Sequence, residues 1–217
     1  MSLILYYHPL SSFCWKTLIA LYEYDIPFEP RLIDLGDPAS RAELERRWPF
    51  NKFPVIEDTE AGRSLPESSI IIEYLGLRHP GKAALVPRDP ELALPVRLAD
   101  RFYDLQVQVP MQRIVADRLR PAGQKDALGV ERARATLGIA YSLVERDMAS
   151  QPWAAGESFS MADCAAAPAL YYADRVLPLR SEYPHAAAYL RRLEQRPSFA
   201  RVLREAEPYF AMFPKES

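Results

Sequence analysis

Every strand signal in the chain falls in its first eighty or so residues, and only helical patterns follow. No single motif constrains the fold as tightly as that division. "LILYY" at 3–7 is short, apolar and rich in β-favouring side chains, as a buried strand requires. A His8-Pro9 turn comes next. Cys14, Thr17, Leu18 and Leu21 then fall at i, i+3, i+4 and i+7, which predicts a helix packed on that strand. "IPFEPRLID" reads as a second strand and "PASRAELERRW" as a polar helix. "FPVIED" and "GRSLP" read as hairpin partners, and "ESSIIIEYLGLRH" as a helix. The order β-α-β-α-β-β-α joins a βαβ unit to a ββα unit, which predicts a four-stranded, partly parallel sheet.

"HPGKAALVPRDPELALP" is rich in proline and lacks any period, so it reads as a linker. The expected partition is an α/β domain over 1–78, a linker over 79–90 and an all-α domain over 91–217. In the last part, "LADRFYDLQVQVPMQRIVADRLR" predicts a long amphipathic helix kinked at Pro110, where one backbone donor is missing. "VERARATLGIAYSLVERDM", "SMADCAAAPALYYADRV", "HAAAYLRRLEQR" and "SFARVLREAE" supply the other helices.

Composition removes several function classes. The 27 Lys and Arg are scattered among 29 Asp and Glu, with no basic stripe for a nucleic acid. No apolar run approaches the roughly 18 residues of a membrane helix. "MSLILYYHPL" lacks the charged start and long apolar stretch of a secretory leader. The two cysteines, Cys14 and Cys164, are too few and too far apart for a disulfide framework or a zinc site. His8, His79 and His185 are dispersed, so no metal is expected. These features together predict a cytoplasmic enzyme or binding protein.

Four short stretches carry candidate chemistry. In "SSFC", a strand and tight turn lead into a helix whose free N–H groups form an anion site, with Ser11 or Ser12 at its N-cap. One hydroxyl can cap the helix, hold an anion, or do both. Cys14 lies on the apolar stripe and reads as a small buried hydrophobe. In "KFPVIED", a cis Phe53-Pro54 bond is expected, after which Val55 offers backbone groups to an extended ligand. In "LPESSIIIEYL", Glu67 and Ser68 open a helix and can take the ammonium and carboxylate of an amino-acid head group. In "SFSMAD", Ser160 and Asp163 have capping-box spacing, with Phe159 placed to staple against Cys164.

These motifs, in this order, resemble the cytosolic glutathione transferases over essentially the whole chain. "SSFC" stands where related thioredoxin-fold proteins carry Cys-x-x-Cys, and "RPSFARVL" is similar to the family's closing helix. The resemblance implies a thioredoxin-like N-terminal domain, an all-helical C-terminal domain and glutathione as co-substrate between them. It implies a serine-type, theta- or zeta-like enzyme with Ser11 as the catalytic hydroxyl. Tyr7 and Ser12 stay as rivals, being placed like the hydroxyl of the tyrosine classes and the cysteine of the beta class. The zeta pattern Ser-Ser-Cys-Ser-Trp-Arg is departed from at Phe13, Cys14 and Lys16, which counts against a zeta-type isomerase. Lys52, Phe53, Pro54 and Val55 match positions that hold the glycine and cysteinyl parts, and Glu67 and Ser68 match the γ-glutamyl contacts. Tyr103, Val107 and Met111 are candidates for an apolar electrophile pocket, and equally for core. The resemblance further implies detoxification and a homodimer, to which Trp48 and Phe50 of "WPFNKF" would offer exposed aromatics. A ligand carrier or protein-interaction module and a glutathione-dependent isomerase are the alternatives. A thiol oxidoreductase would want a cysteine where Ser11 or Ser12 stands.

Overall fold

The computed structural model describes residues 2–80, 83–179 and 182–214. β1 (Leu3–Tyr7), α1 (Ser12–Glu23), β2 (Glu29–Leu32), α2 (Pro38–Glu45), β3 (Val55–Asp58), β4 (Arg63–Pro66) and α3 (Ser68–Arg78) come in the order predicted. They build one sheet in the order β2-β1-β3-β4. β1 and β2 run parallel, pairing Ile4 with Glu29, while β3 is antiparallel to both β1 and β4 and pairs Val55 with Tyr6 and Pro66. The alternation of a strand sorts β1 onto two faces. Leu3 and Leu5 enter the main core, whereas Tyr6 joins Ile33, Leu44 and Val55 in a second cluster with Leu44 of α2.

α1 is buried on every side from Cys14 to Leu21, more than the stripe of four residues predicts. The cause is its position: α3, α7 and α9 all pack against it. Trp15 is fully buried, with the ring of Tyr172 at 4.7 Å and that of Phe199 at 6.0 Å.

The second half is helical: α4 (Pro90–Phe102), α5 (Val109–Arg118), α6 (Ala127–Met148), α7 (Met161–Val176), α8 (Pro184–Gln195) and α9 (Pro197–Ala206). The expected linker is shorter and better anchored than its composition implied. Asp89 caps α4 by accepting from Glu91 N at 2.8 Å, and Pro90 takes the first helical position, where a missing N–H costs nothing. Leu85 is buried, and its carbonyl accepts from Met161 N at 2.8 Å. Gly81 and Lys82 of that linker lie outside the described residues.

The expected kink at Pro110 takes the form of a π-helical stretch, Tyr103–Gln108, between α4 and α5. Val109 donates to Asp104 O, five residues back, and Pro110 has no N–H with which to close an α-turn on Gln106. At the head of α7 the capping box forms, with Ser160 N donating to Asp163 Oδ2 at 2.9 Å. Asp163 also accepts from Ala154 N at 2.9 Å and from the Tyr189 hydroxyl at 2.6 Å. The ring of Phe159 lies against Trp153 at 5.2 Å, with the Arg196 guanidinium over it.

Candidate functional site

The turn between β1 and α1 is fixed through its backbone. Leu10 N donates to His8 Nδ1 at 3.2 Å, and Ser11 N donates to His8 O at 3.0 Å. The Tyr172 hydroxyl reaches across from α7 to Leu10 O at 2.9 Å, and Trp15 Nε1 donates to Pro9 O. Ser11 is thereby held as the N-cap of α1, in extended geometry, and its Oγ accepts from Cys14 N at 3.3 Å. A serine hydroxyl has one proton and two lone pairs. Capping uses a lone pair and leaves the proton available, so the two readings of Ser11 are compatible. Ser12 follows at the first helical position and is buried. Cys14 is fully buried, and that burial pushes its thiol up to about 12, against the lowering contacts of Ser11 and the His8 backbone.

Two lobes open from this turn. The smaller, about 230 Å³, is lined by Phe13, Lys52, Phe53, Pro54, Glu67 and Ser68, with Gln112 at its border. Most of the residues predicted from "KFPVIED" and "LPESS" therefore meet in one place. The Phe53-Pro54 bond is cis. Glu67 stands at the N-cap of α3 with φ of 70°, a conformation that non-glycine residues rarely hold away from sites that use it. Its side chain makes no cap hydrogen bond, so it does not itself satisfy the first N–H groups of α3.

Val55 does not fill the role expected of it. β3 is an interior strand, and Val55 is engaged by β1 on one side and β4 on the other. The ladder stops there; Pro54, next along, has no N–H, so the first residue past the last pair with both backbone groups is Phe53. The Phe53 ring stacks on His8 at 5.7 Å, and burial lowers the His8 pKa, favouring the neutral imidazole.

The larger lobe, about 550 Å³, shares Phe53 and Gln112 with the first. Ser11 and Ser12 stand at its floor, and Gln108, Met111, Val115, Tyr172 and Phe213 contribute to its walls. Of the three residues expected here only Met111 lines it. Tyr103 and Val107 are core residues, on the side of the π stretch that packs into the main cluster against α7. The α5 face that does line the lobe, 108, 111, 112, 115, 116 and 119, is helical in spacing. Tyr7 lines neither lobe. Its side chain follows Leu5 onto the α1 side of the sheet and borders a separate cleft with Tyr22, Phe28, Arg201 and Glu205. Trp48 is half-buried against the second core cluster and Phe50 is exposed, so only one of those two aromatics is free for a partner.

Residues 5–83 match the family model of the glutathione S-transferase N-terminal domain, and residues 128–192 match that of the C-terminal domain. A probable maleylacetoacetate isomerase of Vibrio cholerae is 30% identical over 228 residues, covering 96% of this chain and 98% of its own. The chain belongs to the glutathione S-transferase family. A glutathione S-transferase of Pseudomonas putida is 27% identical, covering 94% of this chain and 92% of its own. The crystal structure of a glutathione S-transferase of Methylobacillus flagellatus, solved with glutathione bound, superposes with a TM-score of 0.85 at 28% identity, over 93% of this chain and 98% of that one.

The transferase also has a buried charge cluster behind its polar lobe, which the sequence reading did not find. Lys16 of α1 lies 2.6 Å from Asp100 Oδ1 and donates to Asp104 Oδ2 and to Ser69 Oγ, both at 2.8 Å. Ser69 donates to Asp100 Oδ2 at 2.7 Å, and Arg101 pairs with both carboxylates. Burial pushes Asp104 up in pKa, while Lys16 and Arg101 oppose it. The available signal was the i, i+4 spacing of Asp100 and Asp104 opposite a lysine inside an apolar helix. Among the described residues no three His, Cys, Asp or Glu side chains gather as a metal site would need, and no helix is long and apolar enough to cross a membrane.

Proposed function

We propose that this transferase binds glutathione across the polar lobe and that Ser11 hydrogen-bonds its sulfur as thiolate, poised against an electrophile in the larger lobe. The observation that carries this is the convergence of Lys52, Phe53, Glu67 and Ser68 on a lobe that ends at the N-terminus of α1. Glu67 takes the γ-glutamyl ammonium, while Ser68 and the first N–H groups of α3 take its carboxylate. The Phe53 backbone pairs with the cysteinyl residue, and Lys52 takes the glycine carboxylate. Val55 supports Phe53 from within the sheet.

The magnitudes are consistent with that division of work. A thiol of pKa about 8.5 is mostly protonated at neutral pH, and the thiolate is the nucleophile. Lowering its pKa by about 2 units takes roughly 2.7 kcal/mol. A helix N-terminus supplies about 0.3–1 kcal/mol when exposed and up to about 2 when partly buried. A hydrogen bond to a charged group adds about 1.5–3 kcal/mol. Helix end and hydroxyl together reach the figure. Titrating thiolate absorbance with saturating glutathione, in the wild type and in Ser11→Ala, tests the proposal directly.

The likeness to a probable maleylacetoacetate isomerase supports a second reading, glutathione-dependent isomerisation of a diketo acid. Against it, the described residues lining the larger lobe include no lysine or arginine to meet a dianionic substrate. Turnover of neutral electrophiles without turnover of the diacid favours conjugation. We also infer a homodimer acting in the cytoplasm in detoxification, with domains at 1–78 and 91–217. Ile70 and Leu77 of α3 and Leu94 and Leu98 of α4 are exposed apolar residues that a partner would cover.

A further inference from the structure

We propose that Gln108 is a specificity-determining residue, selecting electrophiles that present a hydroxyl or N–H donor beside an uncharged apolar body. Gln108 is 2% exposed, and its Oε1 is buried with no hydrogen-bond partner. A buried acceptor in that condition is costly, and nearly all such groups in folded proteins are satisfied. Gln108 nevertheless lines the larger lobe, to which Ser11 and Ser12 also contribute. A ligand donor entering there makes the bond that the free protein lacks.

The backbone accounts for how the amide reaches that position. Gln108 is the last residue of the π-helical stretch, and Val109 closes the wide turn on Asp104 O. π-helical turns are rare and concentrate at functional sites. Apart from this residue and Gln112, the α5 side of the lobe is Met111, Val115, Ala116 and Leu119. An apolar wall discriminates poorly between similar substrates. A site built to hydrogen-bond one substrate group rejects analogues that lack it much more strongly, because its own polar atom is then left unpaired. No lysine or arginine is among the described lining residues, so the recognised group is a neutral donor rather than an anion.

The inference rests on the transferase reading above, and the test separates the two. The probes are 4-phenyl-3-buten-2-one and its ortho-, meta- and para-hydroxyphenyl isomers. In each, the sulfur–carbon bond forms at the β-carbon, the double-bond electron pair moves into the enolate, and water returns the proton. kcat/KM is measured for the wild type, Gln108→Leu and Gln108→Met, with glutathione binding followed by calorimetry and stability by thermal unfolding. At least one hydroxylated isomer should be preferred by the wild type, and in both variants the ratio of kcat/KM for that isomer to kcat/KM for the parent ketone should fall about tenfold, with the affinity for glutathione retained. Their melting temperatures should hold or rise, since an unpaired buried polar atom has been removed. Wild-type protein that binds glutathione yet prefers no isomer, or turns over none of the four, overturns the inference alone. So does a preference that survives in both variants, or a fall in melting temperature with equal loss on all four probes, which marks Gln108 as structural. Failure of the wild type to bind glutathione overturns the transferase reading and this inference with it.

Discussion

Replacing Ser11 with alanine should raise the pKa of bound glutathione by roughly 1–2 units, the equivalent of one charge-assisted hydrogen bond of about 1.5–3 kcal/mol. Thiolate absorbance titrated at saturating glutathione reads this directly. The sign follows from the direction of the effect. The bound thiol is held below its free value, so conjugation at pH 6.5 should fall about tenfold or more and recover as pH rises above the new pKa, where the thiolate forms unaided. Ser11 also caps α1 through Cys14 N, and losing a cap to alanine costs about 0.5–2 kcal/mol. At 3.3 Å that bond is long, which favours the lower end. Ser11→Gly separates the two roles, because glycine at an N-cap costs only a few tenths of a kcal/mol relative to serine. It should melt close to the wild type and still lose the thiolate. Cys14→Ala should leave the titration in place, since that thiol is buried behind the cap. If Ser12→Ala alone moves the titration, the hydroxyl has been misassigned. If no variant moves it, a ligand carrier on the same fold becomes the better reading.

Tyr7→Phe should leave the thiolate titration unchanged, because Tyr7 borders the cleft with Tyr22 and Glu205 and neither lobe of the site; a shift would mean a tyrosine-type enzyme. Glu67→Ala should raise the Michaelis constant for glutathione about tenfold with little change in the saturated rate, because an exposed carboxylate holding the ammonium acts equally in ground and transition states; steady-state kinetics with glutathione varied would show an unchanged constant if binding lies elsewhere. Lys16→Met should destabilise by up to about 3–5 kcal/mol, since it leaves the buried Asp100 and Asp104 with the half-exposed Arg101 in place of a buried cation, and denaturant melts that show no loss would refute the cluster's role. Leu98→Asp should dissociate the proposed dimer at micromolar concentration in sedimentation, and a wild type already monomeric there would end the dimer reading.

The fold was legible where local pattern and final environment agree. β1 and the helices α6, α8 and α9 each bury the face that their own period announces, whereas α1 and α7 are buried almost all round. It was less legible where one residue type does two jobs. The prolines of "PRDPELALP" read as linker, yet Asp89-Pro90 is a helix start and Pro95 sits on the exposed side of α4, where its missing donor is tolerated. Lys16 reads as surface by type. It is buried because Asp100 and Asp104, more than eighty positions away, arrive on α4 and the π stretch to meet it. The i, i+4 spacing of the two aspartates is local, but which cation meets them is a property of the packed helices.

The two lobes differ in legibility for the same reason. The polar lobe is made of chain ends: the N-termini of α1 and α3 and the turn at cis-Pro54. Each is marked locally by residues that such ends require, namely serines at the start of a helix, a Phe-Pro before a strand and Glu-Ser before an apolar run. The larger lobe is a helix face. Its residues are set by the phase in which α5 leaves the π stretch, and one extra residue in a turn moves every later side chain by about 100°. An i, i+4 count carried straight through from Tyr103 therefore selects Val107, which is core, and misses Gln108 and Gln112, which line the cleft. Pro110 marked that a break would occur without specifying that it would be wide rather than kinked. In the proposed reading, thiol activation depends on groups that the sequence announces locally, while choice of electrophile depends on helical phase. Substitutions within 103–110 that restore a regular α-turn should accordingly change which electrophiles are accepted and leave the thiolate pKa where it was.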